Sequence, residues 1–376
     1  MYELSNEQRK YFALQPTDAS WIKQELKASP YDNFQTFAYI DGTVIRKYFL
    51  SGDNIYVELD LRENLSDDLR YLLPKAAKGK PVLLSSSTIQ KRPGTGMGLS
   101  YGKGYVRLTN LVSLCDYYGS FYDPLDLNSV SDFGKWVEQW CAETTPEDLQ
   151  SVTEFAAQKR KHVKFQEGDV FRYKINRRLY GYGRILLDYD KMRKRKEPFW
   201  DVLMTKPVVC AVYHIVTENP HLSVRELEHL PSLPSHIVTD NDFFYGEYEI
   251  IGNIPIGEKE DYPILYGNSI HVRDHAVCFQ CGKFYWREEQ GTALFKRFIN
   301  NGVAMSLRVR LPVLQQCIQA GSNDPFWVLN NGWTEGDLRN PKYRSELAAV
   351  CRQVGIDPSS LIHGYCFPVY SQKEEN

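Results

Sequence analysis

The stretch Phe34-Gln35-Thr36-Phe37-Ala38-Tyr39-Ile40-Asp41-Gly42-Thr43-Val44-Ile45-Arg46-Lys47-Tyr48-Phe49 sets the fold class. Two runs of aromatic and β-branched residues, which fit a pleated, half-buried surface, flank Asp41-Gly42. Asp-Gly between such runs is a strong two-residue hairpin signal, because the turn needs a left-handed backbone that glycine adopts freely. Working outward, residues 55–61, 82–85 and 105–114 read as further strands. Ser5 and Gln8 are spaced as the capping box of a short opening helix.

Two helices follow. Phe133, Trp136, Val137, Trp140 and Cys141 recur at i, i+3, i+4, i+7 and i+8, one apolar face, with Ser131 or Asp132 as the cap. Thr145 caps the second, Pro146 opens it, Glu147 and Asp148 sit in its first turn, and Lys159-Arg160-Lys161 suit its end. A domain boundary is placed near residue 162. Residues 163–290 are again β-rich, with strands expected at 170–175, 183–189, 208–216, 248–251, 269–272 and 276–285, and a short helix capped by Ser223 and Glu226. From 291 onward the pattern is helical. Leu294, Phe295, Phe298 and Ile299 share a face, and Asn340-Pro341 open a helix that buries Leu347, Val350, Cys351 and Val354 and stops at Gly355. The expected fold is α+β: a β-rich N-terminal domain (1–162) closed by two helices, a central twisted antiparallel sheet or partial barrel (163–290), and C-terminal helices (291–376) packed upon it.

The 376 residues, 43% hydrophobic and 24% charged, suit two or so globular domains. Twenty-five tyrosines serve cores and interfaces equally well. The opening Met1-Tyr2-Glu3-Leu4 runs into polar residues with no basic and apolar leader pattern, so a cytoplasmic protein is expected. The longest apolar run, near 208–216, is far short of the ~20 residues of a membrane helix. Eight cysteines at scattered spacings read as reduced thiols rather than a disulfide framework. The net charge of -2 selects no partner, but its distribution is uneven. Residues 161–206 hold 13 Lys and Arg against 6 Asp and Glu, and residues 207–300 hold 7 against 13.

Candidate chemistry is sparse. Pro93-Gly94-Thr95-Gly96-Met97-Gly98 leads into a strand rather than a helix, so it reads as a loop and not a phosphate cradle. His271, His275, Cys278 and Cys281 are the only metal-like cluster, but in a strand Cys278 and Cys281 face opposite sides. Prolines 220, 231 and 234 break any helix that would align His214, His221, His229 and His236. No Ser or Cys nucleophile signature is present. No catalytic residue, metal or cofactor is therefore expected. The basic run from Lys191 to Lys196 reads as a solvated loop between strands. It lacks the interleaved aromatic rings of single-strand binders, so nucleic acid is not the expected partner. Asp240, Asp242, Glu247 and Glu249 surround Phe243, Phe244 and Tyr245; aromatic anchors ringed by carboxylates suit the capture of a basic protein surface.

Phe165-Gln166-Glu167-Gly168-Asp169-Val170-Phe171, followed by Gly181-Tyr182-Gly183-Arg184-Ile185-Leu186, resembles the immunity protein 26 family of bacterial polymorphic toxin systems over about residues 163–290. The stretch 270–286 resembles the family's closing strands. The resemblance implies a cytoplasmic protein that binds and blocks a cognate toxin, and it transfers no catalytic residue; the acidic balance of residues 207–300 would suit the positive cleft of a nuclease toxin. The partner-binding residues expected are Asp240, Asp242, Phe244, Tyr245, Glu247 and Glu249. The family label is sometimes joined to the name of a phosphotriesterase. This chain lacks the His-x-His pair of the metal-dependent enzymes of that name; a hydrolase, metal-dependent and phosphotriesterase-like in one form, stands as the alternative, with a nucleic-acid-binding module as the second.

Overall fold

Residues 34–49 form the expected hairpin, with Ile40 paired to Ile45 and Asp41 to Val44. The turn is therefore Gly42-Thr43, one residue later than Asp41-Gly42, and Gly42 carries the positive φ of +60°. The computed structural model describes residues 1–27, 33–74, 76–102, 104–120, 125–197, 206–258, 260–268, 275–295, 307–329 and 337–361. The chain divides into two compact units, residues 1–161 with 174–178, and residues 162–173 with 179–376.

The first unit is built on a nine-stranded antiparallel sheet. Its strands are β1 (Ile22–Glu25), β2 (Phe34–Asp41), β3 (Val44–Gly52), β4 (Ile55–Leu65), β5 (Tyr71–Leu73), β6 (Val82–Leu83), β7 (Met97–Gly102), β8 (Tyr105–Asn110) and β9 (Cys115–Gly119). The main path runs β1-β2-β3-β4-β7-β8-β9, and β5 and β6 extend from β4. Two apolar clusters use this sheet. One gathers Ile40, Ile45, Tyr48, Leu61, Leu72 and Ile89. The other joins Phe49, Tyr56, Leu99 and Val106 to Leu4, Phe12 and Leu14, which flank the helix α1 (Asn6–Lys10), and to the helices α3 (Val130–Glu143) and α4 (Pro146–Ala156). A further short helix, α2, spans Ser86–Ile89.

Local signals explain the helices. Ser5 and Gln8 close the capping box of α1, and Thr145 with Asp148 closes that of α4. Ser129, rather than Ser131 or Asp132, caps α3 by accepting from the Asp132 N–H. α4 ends at Ala156, so Lys159-Arg160-Lys161 lie beyond it. The stripe on α3 buries Phe133, Val137 and Trp140. Trp140 stacks on Phe12 at 5.8 Å and meets Tyr118 edge-on at 5.1 Å. Residues 174–178 complete this unit: Arg177 lies 4.5 Å over the Trp140 ring, and Arg178 pairs with Asp148 at 2.6 Å. A buried ionic cluster, Arg9–Glu58 at 2.7 Å and Lys47 between Glu58 and Asp60 at 2.7 and 2.6 Å, sits within the sheet.

The second unit holds two antiparallel sheets. The five-stranded sheet runs β13-β12-β11-β10-β14, from β10 (Asp169–Lys174), β11 (Tyr180–Asp188), β12 (Pro207–Thr217), β13 (His236–Thr239) and β14 (Glu249–Asn253). The three-stranded sheet is β15 (Ile264–Asn268), β16 (Val277–Cys281) and β17 (Phe284–Glu288). Its strands bury Ile264, Tyr266, Val277 and Phe279 against Leu347, Val350, Cys351 and Val354 of a C-terminal helix, Arg344–Val354. Gly355 ends that helix in the left-handed conformation at φ +78°. Arg339, 2% exposed, holds the surrounding chain through Asp261 at 2.6 Å, Asp337 at 2.7 Å and the Ser235 carbonyl at 2.5 Å. The fold is α+β, as the sequence pattern predicts.

Three local expectations are corrected. Residues 276–285 are not one strand: Gly282, at φ +56°, turns the chain so that β16 and β17 pair as a hairpin. The basic run is not a loop. Asp188 caps a short helix α5 (Tyr189–Lys194), whose Tyr189 and Met192, one turn apart, are buried. Leu294 and Phe295 are not in a helix, and 296–300 lie outside the described residues, as does the strand expected at 269–272.

Candidate partner-binding face

The turn between β13 and β14 carries five of the six expected binding residues, and Glu249 opens β14. Asp240 follows the last residue of β13 and precedes the one-turn helix α7 (Asn241–Phe244); the capped turn α6 (Val224–Leu227) lies earlier in the chain, where Ser223 and Glu226 place it. Phe243 forces the turn inward. It is fully buried, 5.7 Å from Phe165, 4.9 Å from Phe171 and 5.4 Å from Tyr248. Gly246, at φ +71°, reverses the chain, and the Glu247 and Tyr248 N–H groups donate to the Asp242 carbonyl at 2.9 and 3.0 Å.

The six residues fare differently. Asp240 is 6% exposed, so its carboxylate does not belong to an open face. Burial pushes its pKa up, against the pull of backbone N–H donation and of Lys206. Phe244 is half-buried; its ring lies flat against exposed His162 at 4.7 Å, and its carbonyl accepts from the Val163 N–H at 2.8 Å. Tyr245, also half-buried, meets Phe244 edge-on at 5.1 Å. Asp242 and Glu247 are half-buried, and Glu249 is exposed and ion-paired with Arg172. That pair and Arg184–Glu260 show part of the acidic 207–300 charge spent on the basic segment before it.

The two glycine-aromatic motifs build the platform under this turn. A β-carbon on Gly181 would lie 2.2 Å from Tyr173 Cζ, and one on Gly183 would lie 2.4 Å from Phe171 Cζ. The glycines of β11 are thus seats for the aromatic rings of β10, and Phe171 in turn supports Phe243 and Tyr248. Residues 166–275 match the family described as Immunity protein 26. The immunity protein 26 match takes in β10 to β15, both glycines of β11 and the whole 240–249 segment, and it ends before β16 and β17. No curated protein and no solved structure matches the chain.

Of the metal-like cluster, His271 lies outside the described residues. Cys278 is buried among Leu186, Leu187 and Val209, whereas Cys281 packs with the cluster of the C-terminal helix, so the two thiols do face opposite sides of β16. Among the described residues, no three His, Cys, Asp or Glu side chains are grouped to hold a metal ion, and no helix is long and apolar enough to cross a membrane. His214 is engaged with Asn323 at 2.9 Å and His236 is buried, so the four regularly spaced histidines form no common site.

Proposed function

We propose that this chain binds a cognate toxin protein and neutralises it by stoichiometric blocking. The observation that carries the reading is the immunity protein 26 match together with its contents: within it, one turn held by a buried aromatic base carries Asp242 and Glu247 around Tyr245, with Glu249 opening the strand that follows. A toxin that acts on nucleic acid needs a positive cleft, because its substrate is a polyanion. An acidic face opposed to that cleft raises the association rate and rejects uncharged partners. Tyr245 is the anchor, since Phe244 lies flat under His162 whereas Tyr245 meets that imidazole only at a tilt, 5.9 Å away, and Phe243 is core. Asp240 lies beneath the face and supports the turn. In the Arg172–Glu249 pair Glu249 is the exposed partner, so a toxin cation can share it with Arg172, which the Pro220 carbonyl also holds.

The test is the double charge swap Asp242→Lys with Glu247→Lys, with the protein encoded by the adjacent gene as the toxin probe. Circular dichroism checks the fold, and stopped-flow mixing at several salt concentrations measures association. Association is expected to slow by about tenfold or more, with a flatter salt dependence, and protection of toxin-expressing cells is expected to fall. Unchanged association and full protection by the folded variant would exclude this face.

A further inference from the structure

The sheet of the first unit ends on an open edge. β1 is the terminal strand of the path β1-β2-β3-β4-β7-β8-β9, with β2 as its partner. Its register runs without a bulge from Ile22 opposite Ile40 to Glu25 opposite Phe37, and the Leu26 N–H continues it by donating to the Thr36 carbonyl at 2.8 Å. Backbone bonds of an antiparallel pair fall on alternate residues. Ile22, Gln24 and Leu26 therefore bond to β2, while Lys23, Glu25 and Lys27 turn their backbone groups outward. At Lys27 the outward carbonyl accepts from the Ser86 N–H of α2 at 3.2 Å. At Lys23 and Glu25 no such partner is found among the described residues. The side chains leave the edge open. Ile22 is 51% exposed, and Glu25 is exposed without a salt bridge among the described residues. Lysine on an edge strand commonly guards it against another strand. Lys23 is instead drawn back over β2, with its Nζ 4.7 Å above the Phe37 ring and 2.6 Å from Glu3.

We propose that β1 is a self-association edge, pairing antiparallel with β1 of a second copy of this chain. The strand is complementary to itself. A two-fold axis at Gln24 sets Lys23 across from Glu25 of the second copy, and Glu25 across from its Lys23. The outward N–H and C=O groups of the two strands then satisfy each other, and both charge pairs are opposite in sign. On the other face Gln24 meets its own copy, and Ile22 stands across from Leu26. A slip of the second copy by two residues would set Lys23 against Lys23 or Glu25 against Glu25, so the charges select one register. A strand of another protein would need only a free backbone to bind here; the self-matched charge pattern is what singles out a second copy. The edge belongs to the first unit, outside the family match at residues 166–275, and the inference does not depend on the toxin reading.

The test is sedimentation velocity on the full chain from about 1 μM to 1 mM, the range in which interfaces below the standard size associate. Wild type is expected to pass from monomer to dimer across that range. Glu25→Lys and Lys23→Glu each set like charges across both positions and should weaken the dimer by roughly tenfold or more. An equimolar mixture of the two variants restores opposite charges at both positions, so a mixed dimer should form at concentrations where each variant alone is monomeric. Glu25→Pro removes an outward N–H and spares the ladder to β2, so that variant should be folded and monomeric. Circular dichroism checks each fold. If Lys23→Glu fails to fold through loss of the Glu3 pair, Glu25→Lys and Glu25→Pro still decide the matter. A wild type that stays monomeric throughout would overturn the proposal and leave the edge to a strand of another protein. A folded Glu25→Pro that dimerises like wild type, or a mixture of folded charge variants no more dimeric than its parts, would overturn it as well.

Discussion

Replacing Gly183 by alanine adds a single methyl group, and the structure locates what it strikes. The new β-carbon would stand 2.4 Å from Phe171 Cζ, 2.9 Å from Phe171 Cε1 and 2.6 Å from the Ala211 carbonyl oxygen. Carbon atoms rest about 3.5–4.0 Å apart, so the ring must retreat by more than an ångström. It has little room, being fully buried and packed 4.9 Å from Phe243 and 5.8 Å from Tyr248. The Ala211 oxygen belongs to the backbone of β12, whose pairing with β11 would also have to shift. Overpacking in cores costs about 1–3 kcal/mol, and a backbone collision places this case at the top of that range, about 3 kcal/mol. The gain from a stiffer unfolded chain, about 0.4–1 kcal/mol, is too small to compensate. For a unit of about 200 residues the melting temperature should drop by roughly 6–12 °C. Gly102→Ala is the control: its β-carbon would meet only Ile55 Cγ1 at 4.0 Å, so it should be neutral or slightly stabilising. Thermal melts followed by circular dichroism and calorimetry read both. A Gly183→Ala protein that melts within about 2 °C of wild type would refute the claim that this glycine is a seat for Phe171.

Other substitutions test other parts of the structure. Trp140→Ala, which removes the ring between Phe12, Tyr118 and Arg177, should cost about 3–5 kcal/mol in a urea titration, and an unchanged midpoint would take Trp140 out of the core. On α5, Met192→Ala should cost about 2–5 kcal/mol because Met192 is 2% exposed, whereas serine at Arg193, Arg195 and Lys196 should leave the melt within about 0.5 kcal/mol of wild type. The opposite ranking would return the run to a loop. Asp148 has a lowered pKa: burial works to raise it, but the Arg178 hydrogen bond, the Thr145 N–H and Arg177 outweigh burial. A depressed folded pKa means that its stabilisation is present above the unfolded value, about 3.9, and is lost as pH falls through the lower folded one. Asp148→Asn should therefore reduce wild-type stability at neutral pH and flatten its decline below about pH 4, read by urea titrations across pH.

The features legible in the sequence are those whose cause lies within a turn or two of chain. The hairpin at Gly42, the capping boxes of α1, α4 and α6, and the stripe on α3 are local, and each stands within a residue or two of its expected place. The cap of α3 is also local: Ser129 and Asp132 form a Ser-x-x-Asp pair, a stronger signal than Ser131 or Asp132 taken as the cap alone. Two features hide behind glycine. Met97–Gly102 forms β7 although Gly98 and Gly102 suggest a loop, because a β-carbon on Gly98 would stand 2.8 Å from Leu59 Cδ2 on the neighbouring strand. Gly282 has the reverse effect, cutting an apolar run that otherwise reads as a single strand.

The site depends on distances that no local pattern encodes. Arg172 and Glu249 are 77 residues apart in sequence and form an ion pair, and His162 reaches Phe244 across 82. Alternation and spacing report which face of an element is apolar, not which distant element lies on it. The six residues at 240–249 are thus visible in the sequence as a composition, aromatics among carboxylates, while their division into buried Asp240, stacked Phe244 and paired Glu249 comes only from tertiary packing. The same holds for the basic run. The run itself contains no aromatic ring, so it reads as solvated charge; that Lys191 reaches the Phe165 carbonyl at 3.1 Å comes only from the return of the chain past α5. One local signal does foretell the helix there. Asp188 precedes Tyr189 and Met192 at a spacing of one turn, a cap followed by two apolar residues on one face, and that pattern outranks the charge density that surrounds it.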